Sequence, residues 1–172
     1  MNPITIKTEC AYDEMVQIEK LVPHPRNPNK HPEKQIKLLT KIIAGQGWRN
    51  PIVVSNRSGF ITKGHARLEA AKILECDSVP VDFQDYENEA AEYADMIADN
   101  RIAELAEPSL PEIKDLLEEL DTGDFDMDLT GFDEKEIEDL MNQFNPVPED
   151  TQPRLDEKKK VTCPECGCEF TA

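Results

Sequence analysis

The segment from Pro51 to Val81, PIVVSNRSGFITKGHARLEAAKILECDSVPV, constrains the fold more than any other part of the chain. Its pattern predicts a strand over Ile52–Ser55, a short strand over Phe60–Thr62, a helix after Gly64 and a further strand from Val79. A glycine at a strand-to-helix turn lets the backbone approach a ligand closely, and the first N–H groups of the helix then face that ligand. The order of elements therefore predicts an α/β unit with an anion site at this turn.

Three residues of this turn, Gly64, His65 and Arg67, are candidate ligand contacts. The guanidinium of Arg67, in the first helical turn, can bind a phosphate through two parallel hydrogen bonds. His65 could contact a phosphate or a base edge. Gly-x-x-Arg is a weak pattern by itself, and Arg67 could equally be an ordinary surface charge.

The flanking segments complete a mixed pattern. We expect a strand over Met15–Leu21, a loop rich in proline and asparagine, and a helix over Glu33–Gly45 with one apolar stripe. From Asn88 to Phe144 the pattern is helical, with Asp133 as the cap of the last helix. The predicted fold class is α+β: a small mixed sheet with packed helices, followed by an acidic helical region and a cysteine-rich tail.

The formal net charge of −17 is unevenly distributed along the 172 residues. Residues 1–82 carry 12 Lys and Arg against 9 Asp and Glu, whereas residues 83–150 carry 3 against 23. Such an acidic half repels nucleic acid unless a basic face is presented locally. It is typical of a solvated helical surface, and it also fits a face that binds a basic protein partner or imitates DNA.

No apolar run approaches the roughly 18 residues that a membrane span needs. The first residues lack the basic start and apolar core of a signal peptide. We therefore expect a cytoplasmic protein, bacterial or phage-encoded in a bacterial host, that has no membrane partner.

The glycine turn, GH-x-R-L-x-AA, and the later string DNR-x-AELAE together resemble the ParB N-terminal (ParB-like nuclease) domain of the ParB/sulfiredoxin superfamily. The resemblance covers about residues 15–106 and is strongest to the branch associated with phage and bacterial DNA methyltransferases. It implies a nucleotide-binding domain at 15–106, preceded by an arm at 1–14. An acidic helical extension at 107–145, a linker at 146–160 and a tail at 161–172 would follow.

The resemblance also implies a ligand: CTP or ATP with Mg²⁺, bound at Gly64, His65 and Arg67. His65 stands where sulfiredoxins carry their catalytic cysteine, which excludes a sulfinic-acid reductase. His65 and Ala66 also depart from the acidic residue and second arginine of the partitioning ParB proteins, so the preference for CTP does not carry over.

Further contacts are implied at Asp99, Asn100, Arg101 and Asn27. In the family an acidic-Asn pair faces the triphosphate, and the carboxylate of Asp99 would help to hold magnesium. The alternative is a helix junction in which Asn100 is a cap and Arg101 pairs with Glu104 or Asp99. Asn27 would contact the base or ribose, or would simply turn the loop before Pro28.

The tail contains the zinc-knuckle string Cys163-Pro-Glu-Cys166-Gly-Cys168, which predicts half of a tetrahedral Zn²⁺ site. Cys168 is the candidate third ligand. The fourth could be Cys10, a histidine, or a residue of a second copy, which would make the protein a homodimer. The alternative is a thiol-bearing tail without metal.

These observations favour a nucleotide-binding module that acts with DNA or with a DNA-modifying protein, nucleotide switching the binding of the partner. No helix-turn-helix DNA reader is evident. The alternatives are a nucleotide-dependent enzyme (an NTPase, small-molecule kinase or nuclease), for which no catalytic residue is assigned, and an acidic adaptor or inhibitor. Turnover of a defined nucleotide would separate the enzyme from both of the others.

Overall fold

The computed structural model describes residues 6–144 and, in the tail, residues 160–162, 164, 166 and 168–171. Short 3-10 helices at Ile18–Lys20 and Met127–Thr130 accompany seven strands and five α-helices among these residues. The strands and helices in chain order are β1 (Glu14–Gln17), β2 (Val22–Pro23), α1 (Glu33–Gln46), β3 (Ile52–Ser55), β4 (Phe60–Lys63), α2 (His65–Ile73), β5 (Ser78–Gln84), α3 (Glu89–Glu104), α4 (Leu110–Leu120), α5 (Glu134–Phe144), β6 (Lys160–Thr162) and β7 (Glu169–Thr171).

Five strands form one mixed sheet in the order β1-β5-β3-β4-β2. β3 runs parallel to β5, with Ile52 opposite Val81, and antiparallel to β4. β1 is antiparallel to β5, and β2 is parallel to β4. The predicted α+β class with a small mixed sheet is therefore confirmed.

The core lies between this sheet and the helices α1 and α2. β3 is buried along its whole length, because apolar residues point to both of its faces. Trp48, Ile61, Leu68 and Val79 are at most 1% exposed and belong to the same apolar cluster. This cluster packs β4, β5 and α2 against one another.

The N-terminal segment pairs with the chain next to Trp48 rather than lying free. The N–H of Trp48 donates to the carbonyl of Lys7 and the N–H of Glu9 donates to that of Trp48, both at 2.8 Å. Gly47 has φ +79°, and a Cβ there would lie 2.5 Å from the carbonyl oxygen of Lys7. Only glycine allows this close backbone approach.

The strand predicted over Met15–Leu21 is shorter in the structure. β1 ends at Gln17, and Ile18–Lys20 form a 3-10 turn in which the N–H of Leu21 donates to Ile18. Alternation along the segment indicated a strand but could not show that the chain must turn toward β2. The prediction was therefore wrong in its C-terminal half.

The acidic helical region packs against itself and against α1. α4 and α5 contact each other, and Leu129 lies on the backbone of Gly45, at the C-terminal end of α1. Asp133 caps α5 as predicted: it accepts from the N–H of Glu136 at 2.9 Å, and Glu136 accepts in return from the N–H of Asp133 at 2.8 Å. Among the described residues, no helix is both long and apolar enough to cross a membrane.

Candidate nucleotide-binding cleft

One cleft of about 190 Å³ is formed by three separate parts of the chain. The loop before α1 contributes Asn27, the β4–α2 turn contributes Gly64–Arg67, and the C-terminal half of α3 contributes Asp99 and Asn100. Six of the seven residues expected to contact the ligand thus line a single cleft. Arg101 does not: it lies on the exposed side of α3 and pairs with Glu104 at 3.0 Å.

Gly64 is the N-cap of α2 and adopts a left-handed conformation, with φ 93° and ψ 25°. A Cβ at this position would lie 3.0 Å from Nη1 of Arg67 and 3.3 Å from Cα of Ile52. The glycine therefore permits both the backbone conformation and the position of the arginine. Because it has no side chain, it supplies no capping oxygen, and the first N–H groups of α2 open onto the cleft.

Arg67 is held in place by the backbone of the neighbouring segment. Its Nη1 donates to the carbonyl of Pro51 at 3.0 Å. Burial lowers the pKa of Arg67, and the negative charge of Asp99 opposes this effect. An arginine remains charged under such conditions, so the cleft contains an oriented cation beside a helix N-terminus.

His65 is neutral and has a defined tautomer. Its Nε2 accepts a hydrogen bond from the N–H of His24 at 3.2 Å, so the ring proton is on Nδ1. Burial lowers the pKa of His65 to about 4, with His31 and His24 adding to the effect. At neutral pH the residue offers a hydrogen-bond donor but no charge.

The α3 side of the cleft is acidic and polar. The side chain of Asp99 is about half exposed, and its Oδ1 lies 3.7 Å from Nζ of Lys63. Asn100 donates to the carbonyl of Met96 at 3.0 Å, within its own helix. Asn100 is therefore not a cap, since α3 continues to Glu104.

Asn27 forms a local turn and also lines the cleft. Its Oδ1 accepts from the N–H of Asn29 at 3.1 Å, which is the geometry of an Asx turn. The contact expected of a loop asparagine before Pro28 is present, and the turn presents the loop toward Gly64–Arg67.

The family model of the ParB N-terminal domain matches residues 5–100, more than half of the chain. The chain belongs to this family. A second family model, the ParB-methyltransferase HTH domain, matches residues 111–164. This match departs from the expectation that no helix-turn-helix is evident in the sequence: it covers α5 and all of α4 except Leu110.

Two known proteins place this ParB domain among its relatives. It is 38% identical over 64 residues to the ParB-like nuclease domain-containing protein YnaK of Escherichia coli K12, a match that covers 37% of this chain and 72% of YnaK. It is also similar to the C-terminally truncated chromosome-partitioning protein ParB from Caulobacter crescentus, complexed with CTP-γ-S. That match has a TM-score of 0.61 and 20% identity, and covers 74% of this chain and 76% of the other. At this identity the likeness establishes the fold alone.

Sequence reasoning missed two polar groups of this ParB domain. The first is Lys63, which lines the cleft directly before Gly64 and lies 3.1 Å from Asp95. Its position in Thr-Lys-Gly-His was the available signal, because a lysine next to a phosphate turn is a second candidate cation.

The second missed group is Glu92 on α3, which is fully buried (0% exposed). It accepts from the hydroxyls of Ser58 at 2.7 Å and Ser55 at 2.8 Å, and from Nε of Arg57 at 2.9 Å. Nε2 of His24 lies 3.5 Å away. Burial raises the pKa of Glu92, but the hydrogen bonds from Ser58, Ser55 and Arg57 outweigh it and lower the pKa overall.

Glu92 links α3 to the cleft through His24, although Glu92 itself does not line the cleft. His24, which faces Glu92, donates its backbone N–H to His65. The hydrogen bonds of Glu92 therefore fix the start of α3 to the β3–β4 connection. Asp99 and Asn100, about two helical turns further along α3, line the cleft. No sequence signal distinguishes this carboxylate from the exposed ones on the same helix.

The described residues contain no cluster of three or more His, Cys, Asp or Glu side chains that could hold a metal ion. In the tail, β6 and β7 form an antiparallel hairpin. The Sγ atoms of Cys166 and Cys168 lie 3.3 Å apart, and Cys163 lies outside the described residues. The zinc prediction therefore stays a prediction.

Proposed function

We propose that this protein is a nucleotide-binding module of the ParB type that acts with DNA or with a DNA-modifying partner, and that bound nucleotide switches the binding of that partner. The observation that carries the proposal is the convergence of the α2 N-terminus, Arg67 and Asp99–Asn100 on one cleft. The first turn of α2, which includes Arg67, and Asp99–Asn100 are 32 or more residues apart in the sequence, so local sequence constraints do not account for their meeting.

The chemistry of the cleft suits a polyphosphate. Free N–H groups at the start of α2 and the left-handed Gly64 provide close approach for an anion. Arg67 and Lys63 supply positive charge on the same side. The neutral His65 donates from Nδ1, which suits a phosphate oxygen or a base edge without adding charge.

Magnesium would bind with the nucleotide rather than before it. Mg²⁺ keeps several waters and is commonly held by one or two carboxylates together with substrate phosphates. Asp99 is the carboxylate placed to serve this purpose, with Asn100 beside it. Lys63, 3.7 Å from Asp99, would turn toward the phosphates when the cation arrives.

A bound triphosphate would bridge α2 and α3 and could thereby control a partner. The end of α3 presents apolar side chains to solvent: Ile97, Ile102 and Leu105 are each more than half exposed. Ordering this end against the ligand would change the surface that a partner meets. The family match to a methyltransferase-associated helix-turn-helix supports DNA or a DNA-modifying protein as that partner.

The test is calorimetric titration of CTP, ATP, GTP and UTP with Mg²⁺, followed by assay of phosphate release. We expect saturable binding of at least one nucleotide, weakened by Asp99→Asn when magnesium is present. Arg101→Ala is the matched control, since Arg101 shares the helix but points away from the cleft. Absence of binding by all four nucleotides would refute the proposal, and steady phosphate release would favour the NTPase alternative.

A further inference from the structure

The segment that matches a helix-turn-helix is strongly acidic. Residues 110–144 contain 13 Asp and Glu and only 2 Lys and Arg. The second helix, α5, has acidic residues at Glu134, Glu136, Glu138 and Asp139. A helix of this charge is repelled by the phosphates on either side of a DNA groove, so α5 is poorly suited to read DNA.

Four of these acidic side chains contact α1 instead. Asp133 and Glu136 lie 2.9 and 3.7 Å from Nζ of Lys34. Asp126 lies 3.2 Å from Nζ of Lys41, which also pairs with Asp128. We call Asp126, Asp128, Asp133 and Glu136 the acidic clamp.

An apolar contact and a hydrogen bond from a side chain to the backbone hold the acidic clamp in register. Leu129, between its two halves, packs on Gly45 so closely that a Cβ there would lie 2.8 Å from its side chain. Nε2 of Gln46 donates to the carbonyl of Leu129 at 2.9 Å. The clamp is thus seated on α1 by a specific contact as well as by charge.

The surface under the clamp is basic. Lys34, Lys37 and Lys41 are spaced to form one stripe of α1, opposite the buried Ile36 and Ile43. Residues 26–41 contain 5 Lys and Arg against a single acidic residue, Glu33. We call Lys34, Lys37 and Lys41 the lysine stripe. It adjoins the loop that lines the nucleotide cleft, and it is the most concentrated positive charge in the basic half.

We propose that the lysine stripe is a contact surface for the phosphate backbone of duplex DNA, and that the acidic clamp occupies it as an intramolecular competitor. Carboxylates paired with lysines occupy the positions that phosphate oxygens would take. The clamp's ion pairs are partly solvent-exposed, so they are screened by salt and contribute little individually. Such weak ion pairs hold the acidic clamp on α1 and still allow DNA, which has a higher density of negative charge, to displace it.

This inference rests on the DNA association in the proposed function, and it assigns that association to α1 instead of α5. Its test uses no nucleotide. A failure of nucleotide binding and a failure of the lysine stripe are therefore separate results.

The experiment measures fluorescence anisotropy of a labelled duplex over a range of salt concentrations with three variants of the full chain. The clamp variant neutralises four carboxylates with side chains of the same shape, which keep the caps of Asp126 and Asp133. The other two are Leu129→Ala, which unseats the clamp without changing charge, and the clamp variant with its two paired lysines removed. The substitutions are Asp126→Asn, Asp128→Asn, Asp133→Asn and Glu136→Gln, with Lys34→Ala and Lys41→Ala added in the last variant.

We expect the clamp variant to bind duplex on the order of tenfold more tightly than wild type at low salt, with the log–log salt dependence steeper by about 1.8 for two added lysine–phosphate contacts. Leu129→Ala should show a gain in the same direction. Removing Lys34 and Lys41 should cancel the gain of the clamp variant.

The matched control neutralises four exposed acidic residues that form no ion pair with α1 in the described part of the chain, by Glu112→Gln, Asp115→Asn, Glu119→Gln and Asp121→Asn. An equal gain in this control would mean a general charge effect and would overturn the proposal. A gain that survives loss of both lysines would overturn it too, as would unchanged affinity in both the clamp variant and Leu129→Ala. If the clamp variant does not fold, Leu129→Ala decides, with Leu116→Ala on α4 as its control.

Discussion

At the scale of single residues, Arg67 carries the clearest chemical role in the cleft. It is positioned by a backbone carbonyl, that of Pro51, and by the space that Gly64 leaves open. Neither contact neutralises it. The guanidinium is therefore already oriented before a ligand arrives, which reduces the entropy that binding must overcome.

We predict that Arg67→Ala weakens nucleotide binding by about 1.5–3 kcal/mol, since it removes a charge-assisted hydrogen bond to a phosphate. Calorimetry measures the loss, and a melting curve shows whether the variant stays folded. Arg101→Ala should bind as wild type does. Equal affinity of Arg67→Ala and wild type for every nucleotide would remove Arg67 from the site.

Glu92 gives the second prediction at this scale. Glu92→Ala would leave Ser55, Ser58 and Arg57 without their shared acceptor and should cost about 3–5 kcal/mol of folding free energy. Urea denaturation measures this cost. Glu87→Ala, an exposed carboxylate just before α3, should cost almost nothing. A loss no greater than that of the control would mean that the buried network does not stabilise the fold.

The same carboxylate predicts a pH dependence. Its pKa is lower in the folded protein than the ordinary value of 4.5. The stabilisation is therefore fully present above pH 4.5 and is lost as the pH falls through the folded pKa. Wild type should lose stability in that acid range, and Glu92→Gln should lose less there.

At the scale of elements, local signals predicted the fold well. α1 was expected over Glu33–Gly45 and runs over Glu33–Gln46, and β3 has the predicted bounds Ile52–Ser55. Both are specified by apolar periodicity next to proline, glycine or asparagine. The break of β1 at Gln17 and the return of Leu129 to α1 were not foreseen, because they depend on contacts far away in the sequence.

For the candidate site too, local signals could be identified from the sequence and long-range contacts could not. The turn at Gly64–Arg67 could be identified because glycine, helix start and arginine are adjacent. Asn27, Asp99 and Asn100 entered through the family resemblance, and the fold brings them to the same cleft. Glu92 could not be identified, since its partners lie on the β3–β4 turn, 34 to 37 residues away.

The tail gives a prediction about its β6–β7 hairpin. We expect Zn²⁺ bound by Cys163, Cys166 and Cys168, with a fourth ligand from elsewhere or from a second copy. Metal analysis of protein purified without chelator should give about one zinc per chain, or roughly half that if two tails share an ion. A metal-free protein whose Cys163→Ser variant keeps its stability and oligomeric state would contradict this.

At the scale of the whole molecule, ion pairs between the acidic and basic halves neutralise part of the uneven charge. The acidic region does not only face solvent: part of it is neutralised by Lys34 and Lys41 of the basic half. The two halves of the sequence, opposite in charge, are therefore neighbours in space. High salt should loosen this contact while leaving the apolar core intact.

Limited proteolysis tests the organisation of the chain. Residues 145–160 combine three prolines with many charges and almost no apolar side chains, a composition typical of a linker. We predict that the first cut falls there and releases the tail from a resistant body. A first cut within Ile52–Val81 would contradict the proposed arrangement.

Trp48 gives this protein an internal optical reporter. It is the single tryptophan of the chain, it is 1% exposed, and its backbone exchanges hydrogen bonds with the segment around Thr8. Its fluorescence therefore comes from one known place, which iodide or acrylamide cannot reach while the N-terminal segment stays paired. A shift of the emission to longer wavelength would signal that the N-terminal segment has separated from Trp48. Ligand binding in the cleft need not change this emission.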